Sequence, residues 1–497
     1  MNKPLNFSKI TLETNIKIFN KKIPVWVILL GTILLFGLFL RISFLDAPSF
    51  WVDESISSNA AVKILEKGFP IFDSGAFYSR AMLFHYSQSI SMIIFGINDF
   101  GARFPSVIFG LLTIILAYLF GKEFGGKKAG LMTALFCSIF FLEVFYSKQA
   151  RFYQLFQLLF FATIYFSYKA KTNFKYFYYS LITFVLAIDT QIAGIILTPV
   201  LLYPFFNKKN LSKKFLLKNK FLVILIIPII YFLIGRFISA INIGTNTELV
   251  FYYITSYFGF FSHLLPILLF ALIGLIFAFK EKKELCFLLI VPTLILLFLL
   301  FFVDLFAFRY IYFITFPIII FSSLMFYYLA KKYDNLLIII FFVMIFLTSN
   351  LFNPFLYSTI LVPTHRNFND FSAPEINYKN IPSELLSELK EEDSKIITLY
   401  SSHVEWYIKK PFLVIPFSMS GKGTNTINYY NSLIDKNVDV YSGQEFLEEK
   451  PSFEFYFIGD NFSLSKLKPT QVGFLDTILD DCTELYKNSS IVIKKCS

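Results

Sequence analysis

Histidine and cysteine are scarce, four of each in 497 residues, and charged residues make up only 16% of the chain. The cysteines (Cys137, Cys286, Cys482 and Cys496) show no metal-type spacing, and the first two lie inside apolar runs as packing residues. There is no internal repeat and no low-complexity tract. A soluble domain is about a quarter charged, so the shortage of charge excludes an ordinary water-soluble globule. What fills its place is apolar: 56% of residues are hydrophobic, with 66 Phe and 29 Tyr, and mean hydropathy is +0.62. The chain reads as a polytopic membrane protein.

The net charge of +11 is unevenly spread. Residues 354–497 hold 14 Lys and Arg against 19 Asp and Glu, which leaves 31 against 15 for residues 1–353. The basic excess sits in short loops between apolar runs, the pattern of topology signals and head-group contact rather than of nucleic-acid binding. The predicted organisation is a transmembrane domain over 1–352, with an external loop at 46–102, and a soluble α/β domain over 353–497.

Residues 23–45 form the first apolar run, with Arg41 near its end, long enough for a span of about 30 Å and too long for a signal-peptide core. Five lysines precede it, so the N-terminus is expected in the cytoplasm and the loop after it outside. Later apolar runs fall near 81–97, 103–121, 128–146, 151–170, 176–206, 219–238, 256–279, 285–303, 310–330 and 335–352. The lysine-rich loop Asn207–Lys220, the Lys280–Lys283 cluster and Lys331-Lys332 read as cytoplasmic anchors. Parity then favours 81–97 lying along the outer interface and 176–206 splitting into two short spans around Asp189-Thr190-Gln191. About eleven spans result, with the C-terminal domain outside. Asp53, Glu54, Arg80, His85, Arg103, Lys148, Arg151, Asp189 and Arg309 all come to one side, the outer one.

Asp53 and Glu54 open a segment, Glu54–Lys67, that reads as an amphipathic helix ended by Gly68. Asp53 has two compatible readings, an N-cap favoured by the helix dipole or a general base at a membrane-surface cavity with Glu54 in support. Arg80 suits either lipid head groups or a forked grip on a substrate phosphate. Arg103, Lys148, Arg151 and Arg309 each suit an interfacial anchor taken singly, and a lone His85 is ordinarily a satisfied hydrogen-bonder. Their shared side is what points to a site. In the C-terminal domain, strands are expected near Lys395–Tyr400, Pro411–Pro416, Phe453–Ile458 and Ile491–Lys495, and helices at Ser383–Glu392 and Phe474–Asp481. Cys482 and Cys496 would share an oxidising space, where pairing and free thiols both stand open.

The order of motifs resembles the GT-C integral-membrane glycosyltransferases. It runs from the D-E pair after the first span to a basic residue 27 positions on, then A-R-F-P-S-V-I-F-G, Y-S-K-Q-A-R-F-Y, and F-R-Y before an apolar helix. It is most similar to the branch of protein O-mannosyltransferases, aminoarabinose lipid A transferases and lipopolysaccharide-core sugar transferases, over about residues 24–330. The resemblance implies a sugar donor on polyprenyl phosphate and inverting transfer to an external lipid, glycan or protein. It gives Asp53 the catalytic aspartate's place, with Glu54 beside it. Arg80, Arg151, Tyr153, Arg309 and Tyr310 fall at donor-phosphate positions, with His85, Arg103 and Lys148 in support. Arg80 stands where aminoarabinose transferases have lysine, and Lys148 where the family motif has its first arginine. The second acidic motif of oligosaccharyltransferases is missing at Arg151-Phe152-Tyr153-Gln154. No metal or other cofactor is therefore expected to be required, a divalent ion being allowed but not favoured. The expected location is the plasma or inner membrane, and the alternative function is a transporter or flippase of polyprenyl-linked or anionic solutes. Transporters more often carry inverted repeats and broken mid-membrane helices.

Overall fold

A computed structural model of the chain describes residues 11–18, 21–72, 75–207, 264–299, 308–333, 377–391, 393–399, 401–409, 413–414, 454–460, 464, 475–476 and 479–496. The apolar runs 219–238 and 335–352, and nearly all of the lysine-rich loop after Asn207, lie outside these residues. The chain divides into two compact units.

The first unit takes in Met1–Ser43, Ser106–Lys148 and Phe152–Val362. It opens with an antiparallel pair, β1 (Asn15–Ile18) and β2 (Lys21–Pro24), that leads into the helix Val25–Ile42. The helix Asp99–Ile139 enters this unit at Ser106 and is broken at Gly125 and Gly126, the place where the sequence separates runs 103–121 and 128–146. After the short helix Phe141–Tyr146 come Tyr153–Ala170 and Lys175–Thr190. The last of these stops at Gln191, and short helical turns continue to Phe206, so the run 176–206 does divide at Asp189-Thr190-Gln191. Leu265–Leu299 is broken at Lys282 inside the charged cluster, and Thr315–Tyr333 packs against it. Their approach is close enough that a Cβ on Gly274 would sit 1.8 Å from the Phe321 carbonyl oxygen, so only glycine fits there.

Among the described residues, three helices are long and apolar enough to cross a membrane: Val25–Ile42, Asp99–Ile139 and Tyr312–Lys332. Large apolar side chains point outward from several helices, among them Leu35 and Phe39, Ile182 and Val185, and Leu272 and Ile276. Outward apolar faces of this extent need lipid rather than water around them. The chain is a helical membrane protein.

The second unit combines Phe44–Pro105, Gln149–Arg151 and Pro363–Ser497. Its sheet has five strands in the order β4 (Leu413–Val414), β3 (Ile396–Thr398), β5 (Phe455–Asp460), β7 (Ile491–Cys496) and β6 (Thr483–Lys487). β3 runs parallel to β4 and β5, while β7 runs antiparallel to β5 and β6. Alternation along the central strands gives the sheet two buried faces. Ile397, Phe455 and Phe457 pack with Leu475 and Leu479 on one. On the other, Ile396, Ile458 and Ile493 share a core with Val52, Ile56 and Ala60, the i, i+4, i+8 stripe of the helix Val52–Lys67. A Cys482–Cys496 disulfide ties this end of the sheet. β6 and the helix Ser401–Tyr407 are additions to the elements expected from sequence.

Candidate active site

The helix carrying the acidic pair begins at Val52, two residues earlier than expected, and ends at Gly68, whose φ of +79° suits a left-handed cap. Asp53 is not its N-cap. That position is Trp51, and the capping is done by Glu54, whose Oε2 accepts the Trp51 N–H at 3.3 Å. A carboxylate three residues inside a helix can reach back to the free N–H of the cap.

The two carboxylates, adjacent in sequence, have opposite surroundings. Glu54 is buried. Arg103 grips it with two parallel bonds, Nε to Oε1 and Nη2 to Oε2, both 2.8 Å, and the Ala150 N–H adds a third at 2.7 Å. The same guanidinium donates to the carbonyls of Leu45, Pro48 and Ser49 at 2.9, 2.8 and 3.3 Å. Arg103 therefore links Glu54 to the strap Leu45–Ser49 that leads into the helix, in the planar fork geometry that arginine alone provides. With its lone pairs engaged, Glu54 is a structural keystone.

Asp53 keeps 17% of its side chain exposed and pairs with Arg151, Nη2 to Oδ2 at 3.3 Å. Arg151 also donates to the Asp53 carbonyl at 3.2 Å and to Ser57 Oγ at 2.6 Å, one turn along the helix. The result is a carboxylate held by Arg151 and still partly exposed.

His85 lies buried in the helix Met82–Phe95, with Nδ1 3.1 Å from Gln88 Oε1 and its ring edge-on to Tyr78 and Phe84. Burial pushes its pKa down to about 3; the Gln88 bond opposes this, and the charges of Arg151 and Arg80 add to it. The imidazole is neutral at physiological pH. Arg80 is exposed just ahead of this helix, close enough for its charge to reach His85. Asp53, Glu54, Arg80, His85, Arg103 and Arg151 thus meet in the second unit.

Lys148, Tyr153, Arg309 and Tyr310 belong to the first unit. Lys148 Nζ donates to the Ser43 carbonyl at 2.5 Å, a structural tie between the ends of two segments. Tyr153 stands edge-on to Tyr146, which lies 4.1 Å from the Tyr312 ring, and the Arg309 guanidinium sits 5.2 Å from the centre of the Tyr310 ring. Beneath these aromatics is a buried polar knot that none of the ordered motifs contains. Glu143 Oε2 accepts from Tyr312 at 2.7 Å, and Oε1 accepts from Gln157 at 2.8 Å and Thr315 at 2.9 Å. A carboxylate inside the apolar run 128–146, followed by Gln154 and Gln157 on one helix face, was the available signal. The described residues contain no group of three or more His, Cys, Asp or Glu arranged to hold a metal ion.

Residues 79–234 match the family model of dolichyl-phosphate-mannose-protein mannosyltransferases. The match takes in Arg80, His85, Arg103, Lys148, Arg151 and Tyr153, while the acidic pair and the Arg309-Tyr310 pair lie outside it. No curated protein matches the sequence. ArnT from Cupriavidus metallidurans in its apo state superposes with a TM-score of 0.62 at 11% identity, over 95% of this chain and 97% of that one. The same protein bound to undecaprenyl phosphate gives 0.60 at 11% identity, over 95% and 98%. The oligosaccharyltransferase AglB from Archaeoglobus fulgidus, in complex with an inhibitory peptide and a dolichol-phosphate, gives 0.51 at 13% identity, over 88% of this chain and 69% of that one. The chain thus shares its fold with ArnT along nearly its whole length, and residues 79–234 within it match the mannosyltransferase family model.

Proposed function

We propose that the chain is an inverting glycosyltransferase that moves a sugar from a polyprenyl-phosphate donor to an extracytoplasmic acceptor, whether envelope lipid, glycan or protein. The observation that carries this reading is the split between the two carboxylates. Glu54 is consumed by Arg103, while Asp53 is held at its Oδ2 by Arg151 and stays partly exposed. In the proposed reaction Asp53 takes the proton of the acceptor nucleophile as that atom bonds to the anomeric carbon. The bond from that carbon to the phosphate oxygen breaks, its electron pair leaves with the polyprenyl phosphate, and the anomeric centre inverts. A glycosyl phosphate is already a good leaving group, so one base and cations for the departing charge suffice. Arg80 and Arg151 serve the phosphate in this reading, joined by Tyr153, Arg309 and Tyr310; His85 and Lys148 are supporting, and Glu54 and Arg103 hold the frame.

The lipid phosphates bound to ArnT and AglB support a polyprenyl-phosphate donor. The reading includes a reaction that needs no divalent ion, since the position of the second acidic motif carries Arg151-Phe152-Tyr153-Gln154. It also includes about eleven spans, a cytoplasmic N-terminus, a C-terminal α/β domain outside, and residence in the plasma or inner membrane. The helix Met82–Phe95 supports this topology. Its 14 residues reach about 21 Å, too short for a bilayer core, and Ile90, Ile93 and Ile94 make an exposed apolar stripe suited to the interface.

The test is Asp53→Asn, which keeps the size of the side chain. Consumption of the cell's own polyprenyl-phosphate-linked sugars, followed by mass spectrometry in membranes holding the variant or the parent, is expected to fall at least a hundredfold with the amount of folded protein unchanged. Full activity in the variant would remove Asp53 as the base. Loss of parental activity in excess chelator would refute the metal-free part of the reading.

A further inference from the structure

His403 follows Phe50 by 353 residues, yet the two share a hydrogen bond. The short helix Ser401–Tyr407 lies against the segment that leads into Asp53, within the second unit. Tyr407 Oη accepts the Phe50 N–H at 2.6 Å, and His403 Nε2 meets the Phe50 carbonyl oxygen at 3.0 Å. Both backbone groups of one residue, three positions before Asp53, are thus held by a single helix from the far end of the chain.

The holders are themselves held. The Tyr407 hydroxyl, having accepted from Phe50, donates to Asp99 Oδ2 at 3.0 Å, and Trp406 Nε1 donates to Asp99 Oδ1 at 2.8 Å. The Tyr378 ring stacks on both His403 and Tyr407. Burial pushes the His403 pKa down to about 4, so the ring is neutral, and a carbonyl partner at Nε2 requires the tautomer with its hydrogen there. The Phe50 ring contacts Trp406 at 5.0 Å on one side and the Arg103 guanidinium at 4.8 Å on another. Further along, Ser402 Oγ lies 2.7 Å from Ser55 Oγ, and the Ser402 carbonyl accepts from Asn59 at 3.0 Å.

A base that must meet its proton within a few tenths of an ångström needs a rigid support, and a displacement of about 1 Å costs roughly a hundredfold in rate. Asp53 sits in the first turn of its helix, so its direction depends on the entering backbone. We infer that Tyr407 and His403 are positioning residues of the transfer site: they fix the Phe50 backbone and so aim the Asp53 carboxylate. The C-terminal segment is then part of the active-site frame, not an appendage to it. This rests on the reading of Asp53 as base.

Three variants of the whole chain test it: Tyr407→Phe, which removes one hydroxyl, His403→Leu, and His403→Gln, whose amide can still donate to the carbonyl. Turnover of the cell's polyprenyl-phosphate-linked sugars is expected to fall at least tenfold in the first two and to recover most of that loss in the third. The dissociation constant for undecaprenyl phosphate, used alone as a probe, should stay within twofold. Amide hydrogen exchange at Phe50 should quicken in Tyr407→Phe while the sheet stays protected. If His403→Leu does not fold, Tyr407→Phe decides. Parental turnover in Tyr407→Phe, or an unchanged Phe50 exchange rate, would overturn the inference. With Asp53→Asn inactive in the same assay, such a result refutes only the positioning role. An active Asp53→Asn refutes the base reading and this inference with it.

Discussion

Arg103 and Glu54 are joined by two parallel hydrogen bonds of 2.8 Å, each side chain only 1% exposed. Taking two charges out of water costs several kcal/mol for each, and good geometry with extra bonds is needed to repay it. Here the extra bonds are the carbonyls of Leu45, Pro48 and Ser49 on Arg103 and the N–H groups of Trp51 and Ala150 on Glu54. Removing one partner strands the other.

Arg103→Leu is therefore expected to lower stability by about 3–5 kcal/mol, the usual cost of a buried charge left unpaired. Arg103→Lys should lose a large part of that as well, because an ammonium cannot make the forked pair. Thermal unfolding in detergent measures both. The double variant Arg103→Leu, Glu54→Leu should be more stable than Arg103→Leu alone, since no charge is left stranded. Equal or lower stability would show that the pair is not the unit described.

The Glu143 knot makes a separate prediction in the membrane unit. Its carboxylate collects donors from Tyr312 and Thr315, 169 and 172 residues further along the chain, and from Gln157, 14 residues on. Glu143→Ala would leave several buried donors without acceptors, at about 1–3 kcal/mol each, whereas Glu143→Gln keeps one acceptor and should cost less. Tyr312→Phe and Glu143→Gln share a partner, so their effects on unfolding should fail to add by about 0.5–3 kcal/mol. Additive effects in a double-mutant cycle would dissolve the knot into independent contacts.

How much of this could be read from the residues differs by element. The acidic pair stands out in sequence because two carboxylates follow an apolar run, and the Ile56, Ala60 and Ile64 spacing marks a helix. Which carboxylate is locked is not visible there. Successive helix residues point about 100° apart, so one faces Arg103 and the other does not, and which is which depends on a register fixed by tertiary contacts. The capping role went to Glu54 through a box whose cap is Trp51, not the Ser or Thr that would have marked it. β6 carries no sequence signal, because TELYK is a largely exposed edge strand with no apolar alternation. The helix Ser401–Tyr407 is seven residues long, below the length at which periodicity speaks. Its partners lie more than 300 residues away.

Acidification should destabilise the second unit through His85 and His403, the two buried histidines among its described residues. His85 and His403 have pKa values lowered to about 3 and about 4 in the folded chain, against about 6.5 when unfolded. For a base whose folded pKa is depressed, the unfolded chain binds more protons between the two values, so stability rises with pH across that window and falls as pH drops through it. Above about pH 6.5 neither histidine contributes a slope. Below it, each costs about 1.4 kcal/mol per pH unit until its folded pKa is approached. The unfolding temperature of the purified protein should thus be flat from about pH 8 to 7 and fall increasingly below 6. His403→Gln carries no titrating ring and keeps a donor for the Phe50 carbonyl, so it should remove about half of that slope between pH 4.5 and 6. A variant that retained the full slope would show that His403 is already protonated in the folded state. That outcome would also contradict the neutral, Nε2-protonated ring on which the grip on Phe50 depends.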